Sequence, residues 1–348
     1  MANFSENVLE YAYSAGVNEY LTAVVDYYGS LGIKLSNKEV LSTVGGSEAL
    51  QIVMNCILDV GDEILIPEPF YPNYNTFVSI ANADIVPVPT TPEEGYFYAE
   101  KSRFEAKITP KTRAILISNP GNPTGVVLTP EQMRVMADIA KEHDLWLISD
   151  EVYREFVYGG EDLATMLVYE DIADRLIIID SISKRFSACG ARVGAIISRN
   201  QAFMAQALKL CQGRLSNATL EQVGAAALYA MDGDYFTAVR EEYKKRRDTV
   251  MAGLGNIPGA VCQCPGGAFY IMASLPIDDA NKFLIWLLEE FEDNNETVMF
   301  APGASFYATE GKGTNEIRIA YILNCQDLAR SMELLGLAVA QYNQQQGV

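Results

Sequence analysis

The chain holds a single histidine, His143, in 348 residues. That scarcity removes the commonest general base and the commonest transition-metal ligand from most of the molecule. Its six cysteines (Cys56, Cys189, Cys211, Cys262, Cys264, Cys325) are scattered, with no CxxC pair among them. They read as reduced thiols of a cytoplasmic protein rather than a disulfide frame. Cys262-Gln-Cys264 has no histidine beside it, so no metal site is expected. Basic residues are outnumbered 26 to 45, for a net charge of −19. Such a balance argues against nucleic acid, whose phosphates need a basic face, and against anionic membrane surfaces. No apolar run reaches the ~18 residues of a membrane span. Met1-Ala-Asn-Phe-Ser-Glu6 lacks the basic-then-apolar pattern of a signal peptide. The Walker A loop and the Gly-x-Gly-x-x-Gly fingerprint are missing too, which weakens a nucleotide reading.

What is present is ample for a core. Hydrophobic residues make up 49% of the chain and charged ones 20%, as in soluble globular proteins. The length suggests two domains. Apolar strand patterns alternate with helical ones. Strands are expected at Glu39-Val-Leu-Ser42, Glu63–Ile66, Ala83–Val88, Arg113–Ser118, Leu145–Ser149 and Arg175–Asp180. Helices are expected at Asn18–Ser30, from Gly46 to Leu58, up to Ala81, and from Pro130 to His143, the last capped by Thr129. This alternation predicts an α/β fold with a mostly parallel sheet. Long helical stretches follow (Ala218–Asp232, Tyr235–Leu254), then a break at Gly255-Asn-Ile-Pro-Gly259. Beyond it a smaller α/β layer is expected: strands at Gly267–Met272, Thr297–Phe300 and Glu316–Tyr321, and helices at Asp279–Glu292 and from Cys325. The domain reading is 12–250 for a large domain and 251–348, with 1–11, for a small one.

In open parallel sheets ligands sit beyond the carboxyl ends of the strands. That rule gathers Gly46, Ser47, Glu48, Tyr71, Asn122, Asp150, Tyr153, Ser181 and Lys184 into one cleft. In Ser181-Ile-Ser-Lys184 and Arg192, hydroxyls and a guanidinium could hold a phosphate while Lys184 acts as an amine nucleophile. Taken alone, the stretch also reads as a solvated loop. Gly45-Gly46-Ser47 opens a helix, where free N–H groups and the helix dipole favour an anion, or is an ordinary glycine turn. Asp150 could keep a pyridine nitrogen protonated, or cap a helix. Tyr153 shares a face with Asp150 if the turn is helical; it could bond a ring oxygen, as could Asn122, or simply pack in the core.

Together these residues resemble those of the class I/II aminotransferases of fold type I, aspartate-aminotransferase-like proteins that use pyridoxal 5′-phosphate. The resemblance rests on Gly-Gly-Ser-Glu-Ala, Pro-Phe-Tyr-Pro-Asn-Tyr, Ser-Asn-Pro-Gly-Asn-Pro-Thr-Gly, Ser-Asp-Glu-Val-Tyr, Ser-x-Ser-Lys-x-Phe…Gly-x-Arg-Val-Gly and Glu-Ile-Arg-Ile-Ala. It implies a large α/β/α domain and a smaller C-terminal α/β domain. It implies Lys184 as the Schiff-base lysine and proton shuttle, Asp150 as partner of the pyridine nitrogen, and Asn122 and Tyr153 as partners of the ring hydroxyl. Gly46, Ser47, Ser181 and Arg192 become the phosphate cup, with Glu48 beside it, and Tyr71 an aromatic stacked on the ring. Arg318, with Asn122, pairs with the substrate carboxylate, and Tyr11 reaches a neighbouring subunit's phosphate in a homodimer. The expected reaction is ping-pong transamination between an L-amino acid, aspartate-type favoured, and a 2-oxo acid such as 2-oxoglutarate. A pyridoxal-phosphate β-lyase and an inactive, shortened homologue are the competing readings. Members of the family carry an N-terminal arm ahead of the segment that here begins near Leu9, and this chain is expected to lack it.

Overall fold

The computed structural model describes residues 9–159, 165–231 and 233–346. Residues 1–8 of the expected small-domain segment 1–11 lie outside that description. In chain order the elements begin with α1 (Asn18–Ser30), β1 (Val40–Thr43), α2 (Gly45–Ile57), β2 (Glu63–Glu68), α3 (Asn73–Ile80) and β3 (Asp84–Pro89). They continue with α4 (Lys101–Glu105), β4 (Thr112–Ser118), α5 (Pro130–Glu142), β5 (Trp146–Asp150), β6 (Leu176–Ser181), α6 (Ile182–Arg185) and β7 (Gly194–Ile197). Then come α7 (Gln201–Gly213), α8 (Thr219–Leu228), α9 (Gly233–Leu254), β8 (Tyr270–Ser274), α10 (Ala280–Glu289), β9 (Ala301–Pro302), β10 (Glu316–Ala320) and α11 (Cys325–Gln346).

Seven strands form one sheet in the order β1-β7-β6-β5-β4-β2-β3. β3, β2, β4, β5 and β6 run parallel, and only β7 opposes its neighbours. The central strands are apolar throughout because helices cover both faces. Their side chains divide by the period of two. Leu65, Ile115, Ile117, Leu147 and Ile178 enter the core on one face, while Ile64, Leu116, Ile148, Ile177 and Ile179 enter the core on the other. Each such burial contributes about 1.5–3 kcal/mol, so register is strongly specified. The expected α/β class with a mostly parallel sheet is the one observed. α5 begins as its sequence suggests. Thr129 accepts from the Gln132 N–H, the Gln132 side chain accepts from the Thr129 N–H, and Pro130 occupies the first turn.

The second sheet is small, in the order β8-β10-β9, and antiparallel. Its core holds Ile271, Ala273, Phe283, Leu287, Ile317 and Ile319, with Leu335 and Ala338 of α11 and Val250 and Leu254 of α9. α9 therefore runs unbroken through the expected boundary at 250/251 and ends inside the core of the small sheet.

Three local differences from the sequence reading have physical causes. The strand expected at Gly267 starts only at Tyr270, because Ala268 takes a left-handed φ of 56° and Gly267 lies against the Phe156 carbonyl. Thr297–Phe300 is not a strand; its Thr297 hydroxyl donates to the Leu287 carbonyl, and pairing with β10 is confined to Ala301 and Pro302. β7 and α7 carry no expected counterpart: Gly-Ala-Ile-Ile is too short to announce a strand by periodicity.

Candidate active site

The carboxyl ends of β4, β5 and β6 and the start of α2 open on one side of the large sheet. β8 and β10 of the small sheet stand across from them. Between them lies a cavity of about 260 Å³ lined by Gly46, Ser47, Tyr71, Asn122, Asp150, Tyr153, Ser181, Lys184, Arg192 and Arg318, among others. Nine of the expected site residues on the large-sheet side, together with Arg318, thus meet in one place.

The first end of this cavity is a cradle built from absent side chains. Gly45 has φ of +71°, and a Cβ there would lie 2.5 Å from the Arg192 guanidinium. A Cβ on Gly194 would lie 2.7 Å from Gly45 C and 2.9 Å from Gly46 N. Only glycine permits this approach. No side-chain bond from the N-cap residue, Val44, covers the start of α2. Ser47, Ser181 and Arg192 complete a donor-rich concavity suited to an anion.

Glu48 departs from its expected place. Its carboxylate pairs with Arg214 at 2.9 Å and accepts the Val44 N–H at 2.7 Å, so its charge is already neutralised away from the cavity lining. Tyr11 is 79% exposed and is not among the residues lining this cavity. Its outward position leaves it free to meet another molecule.

Lys184 sits on α6, a single turn fixed from both ends. Ser181 caps it by accepting from the Ser183 N–H. Arg185, fully buried, gives two hydrogen bonds to Asp180, at 2.8 and 2.9 Å, and one to the Tyr229 hydroxyl at 2.9 Å. The lysine is thereby aimed into the cavity, half-buried. Burial pulls its pKa below the ordinary lysine value, and the nearby Arg192 and Arg318 act in the same direction.

Asp150 lies beneath, at the end of β5. Burial raises its pKa to about 6, although the Tyr74 hydroxyl donates to Oδ2 at 2.7 Å and the Val152 N–H to Oδ1 at 3.3 Å, both of which favour the anion. The residues directly after β5 form a turn, so Asp150 is not a helix cap, and Tyr153 lies in that turn rather than on a shared helical face. The Tyr153 hydroxyl is 2.9 Å from that of Tyr270.

Arg318 faces this assembly from β10. Its guanidinium donates to Asn122 Oδ1 at 3.1 Å, and its Cζ lies 4.5 Å from the Tyr270 ring centroid and 4.8 Å from that of Phe306. It has no carboxylate partner among the described residues, and its Nε is buried without an acceptor. Half-buried and without a carboxylate partner among the described residues, its guanidinium keeps the planar fork that can pair with one.

Sequence reasoning missed Tyr74, Tyr270, Phe306 and the Asp180–Arg185 pair. Tyr74 ends the Pro-Phe-Tyr-Pro-Asn-Tyr motif and Arg185 adjoins Lys184, so both stood inside quoted motifs. Tyr270 and Phe306 had no local signal beyond being aromatic.

The chain was compared with known proteins. The family description "aminotransferase class I and II" matches residues 2–333. A probable aspartate/prephenate aminotransferase of Thermus aquaticus is 31% identical over 336 residues, covering 95% of this chain and 84% of its own. An aspartate aminotransferase of Bacillus subtilis is 30% identical over 341 residues, with the same coverages. Among solved structures, an aromatic aminotransferase from Pyrococcus horikoshii superposes with a TM-score of 0.88 at 28% identity, covering 96% of this chain and 89% of that one.

Proposed function

We propose, on the premise that this chain belongs to the aminotransferase class I and II family, a working assignment of its donor, acceptor and site residues. The chain is an enzyme of fold type I that uses pyridoxal 5′-phosphate to move an amino group between an amino acid and a 2-oxo acid. We infer an aspartate-type donor, from the names borne by its relatives, with 2-oxoglutarate as acceptor. The observation that carries the reading is the convergence of Lys184, Asp150 and Arg318 on one cavity.

The residues present fit the cofactor. The glycine cradle at Gly45, Gly46 and Gly194, with Ser47, Ser181 and Arg192, would take its phosphate. Asp150 would face the ring nitrogen, Asn122 and Tyr153 the ring hydroxyl, and Tyr71 a face of the ring. When bound, the cofactor supplies an electron sink that acidifies the donor's Cα–H. Lys184 would hold it covalently through Nζ and, once released, move the proton. Its lowered pKa enlarges the neutral fraction that a base needs near pH 7. Arg318 would bind the donor's α-carboxylate bidentately and so fix the Cα–H toward Nζ. Asn122, already bonded to Arg318, orients that guanidinium.

The large unit, residues 12–250, would carry the cofactor, and the small unit, 251–348 with 1–11, would carry Arg318. Tyr11 stands exposed, so a homodimer in which it reaches the partner's phosphate cup is the proposed assembly. Among the described residues no helix is long and apolar enough to cross a membrane, and the six cysteines are free. A cytoplasmic location is proposed on the thiols.

The test is an absorbance spectrum of the pyridoxal-phosphate-loaded protein before and after L-aspartate. Conversion of the yellow band to a near-ultraviolet band supports transamination. A band unmoved by aspartate, phenylalanine, alanine and arginine defeats it.

A further inference from the structure

Two residues before Arg318 on β10 stands Glu316, buried among groups that the reaction does not use. Its Oε2 accepts from the Tyr307 hydroxyl at 2.7 Å and from the Tyr96 hydroxyl at 3.0 Å. By the pleat, Glu316 and Arg318 share one face of the strand. The two tyrosines come from opposite sides of the cleft. Tyr96 lies in the loop between β3 and α4 of the large sheet. Tyr307 follows the short turn Gly303–Phe306, whose last residue is the ring stacked on Arg318.

The surroundings make this a close fit. A Cβ on Gly303 would lie 2.6 Å from the Glu316 Cβ, and one on Gly313 would lie 2.5 Å from the Tyr307 ring. Tyr96, Met272, Phe306 and Tyr307 pack as one apolar cluster. Around it, the Phe70 N–H donates to the Phe306 carbonyl at 2.8 Å. Glu68 accepts from the Ala308 and Thr309 N–H groups at 3.1 Å. The 303–309 segment is thus held to the large sheet from below and to β10 through one carboxylate oxygen.

We propose that Glu316 is a positioning residue for the substrate-carboxylate site. By gathering the Tyr96 and Tyr307 hydroxyls it fixes Phe306 against the Arg318 guanidinium, and so sets the orientation in which Arg318 receives the amino acid. The proposal rests on the reading that Arg318 binds that carboxylate. A carboxylate spent on two hydroxyl donors rather than on the cation two residues away leaves the guanidinium's charge free for the ligand. Burial raises the Glu316 carboxyl above its ordinary value, opposed by the two tyrosine hydrogen bonds; Glu93 raises it further and Lys312 lowers it. Removing the acceptor strands two buried hydroxyls and takes away one of the holds on the turn that carries Phe306, leaving those from Phe70 and Glu68.

The test compares Glu316→Ala, Glu316→Gln, Tyr96→Phe, Tyr307→Phe and Arg318→Lys in the cofactor-loaded enzyme. Donor KM and kcat are measured. So are the affinity for succinate, an unreactive dicarboxylate, by calorimetry, and the absorbance of the bound cofactor. Glu316→Ala should raise donor KM and weaken succinate about tenfold, the equivalent of one or two hydrogen bonds, with kcat and cofactor absorbance little changed. Glu316→Gln, whose amide oxygen still accepts from both hydroxyls, should lie within about threefold of the parent, and each Phe variant between the two. Equal losses for Ala and Gln, or losses confined to kcat and cofactor retention, overturn the proposal. Succinate affinity unchanged in Arg318→Lys would instead bring down the carboxylate-site reading, and this proposal with it.

Discussion

Two arginines on opposite sides of the cleft show how the same side chain serves different ends. Arg185, in the large unit, is fully buried, gives two hydrogen bonds to Asp180 and one to Tyr229, and lies 4.2 Å from the Tyr27 ring centroid. Arg154 beside it is equally buried, 3.3 Å from Glu151 and 3.6 Å from Asp180. Arg318, on β10, has the Tyr270 and Phe306 ring centroids 4.5 and 4.8 Å from its Cζ, one amide oxygen as partner and no carboxylate among the described residues. The first kind has its charge answered by the protein and makes a rigid seat for Lys184. The second is only half-buried and lines the cavity with no carboxylate paired to it among the described residues. A fully buried charge is costly unless paired, and Arg185 and Arg154 are paired, whereas Arg318 is neither fully buried nor paired with a described carboxylate.

That contrast predicts different failures on the two sides. The largest should come from Lys184→Ala: turnover should fall at least about 10³-fold, measured by loss of amino donor, while thermal unfolding stays close to the parent's. Residual transamination near the parental rate would sink the assignment of Lys184. Arg318→Leu should come next. Donor KM should rise about 10- to 100-fold through loss of a charge-assisted bidentate contact, with the cofactor still bound by absorbance. Loss of cofactor instead would show that the two sides are not separable.

Asp150→Asn should split stability from activity. In the cofactor-free protein the folded-state value of about 6 lies above the ordinary aspartate value. Folding therefore favours the protonated form, and the charged carboxylate is a cost present in full above about pH 6 that shrinks as pH falls toward 4. The asparagine variant should then melt higher than the parent at pH 8, by about 1–3 kcal/mol in stability, with the gain fading toward pH 4. Its turnover should fall. A gain that grows on acidification would refute the buried-carboxylate argument. The smallest effect is expected from Tyr270→Phe, which removes one hydroxyl from the Tyr153 pair but keeps the ring on Arg318: a change of about threefold or less in kcat/KM. A larger loss would mean that the hydroxyl, not the ring, does the work.

The two sides also differed in how far their sequence could be read. The large-unit residues stand at the ends of buried parallel strands, and a run such as Leu-Ile-Ile-Ile-Asp-Ser announces both the strand and its polar exit. Asp150, Ser181 and Lys184 could be placed in one cleft before any coordinates because strand ends of a parallel sheet share an edge. Glu48 was the exception there. Its position in Gly-Gly-Ser-Glu was visible, but its partner Arg214 lies 166 residues away and gives no local sign. Around the small sheet only Arg318 was given a role, and the residues packed about it, including Tyr96 from the large-sheet side, were not. Phe306, Tyr270, Tyr96 and Glu316 act through contacts between segments far apart in the chain, and nothing in their spacing relates them.

The sequence by itself determined the α/β alternation and the aspartate at its strand end, which follow from periodicity and from strand ends, and its motifs carried the resemblance to the family that points to the lysine. Only the tertiary structure decided which charges are spent and which are free. Pairing depends on distance and burial, so Glu48 was claimed by Arg214, Asp180 by Arg185 and Glu316 by two tyrosines, while Arg318 remained open to the cleft.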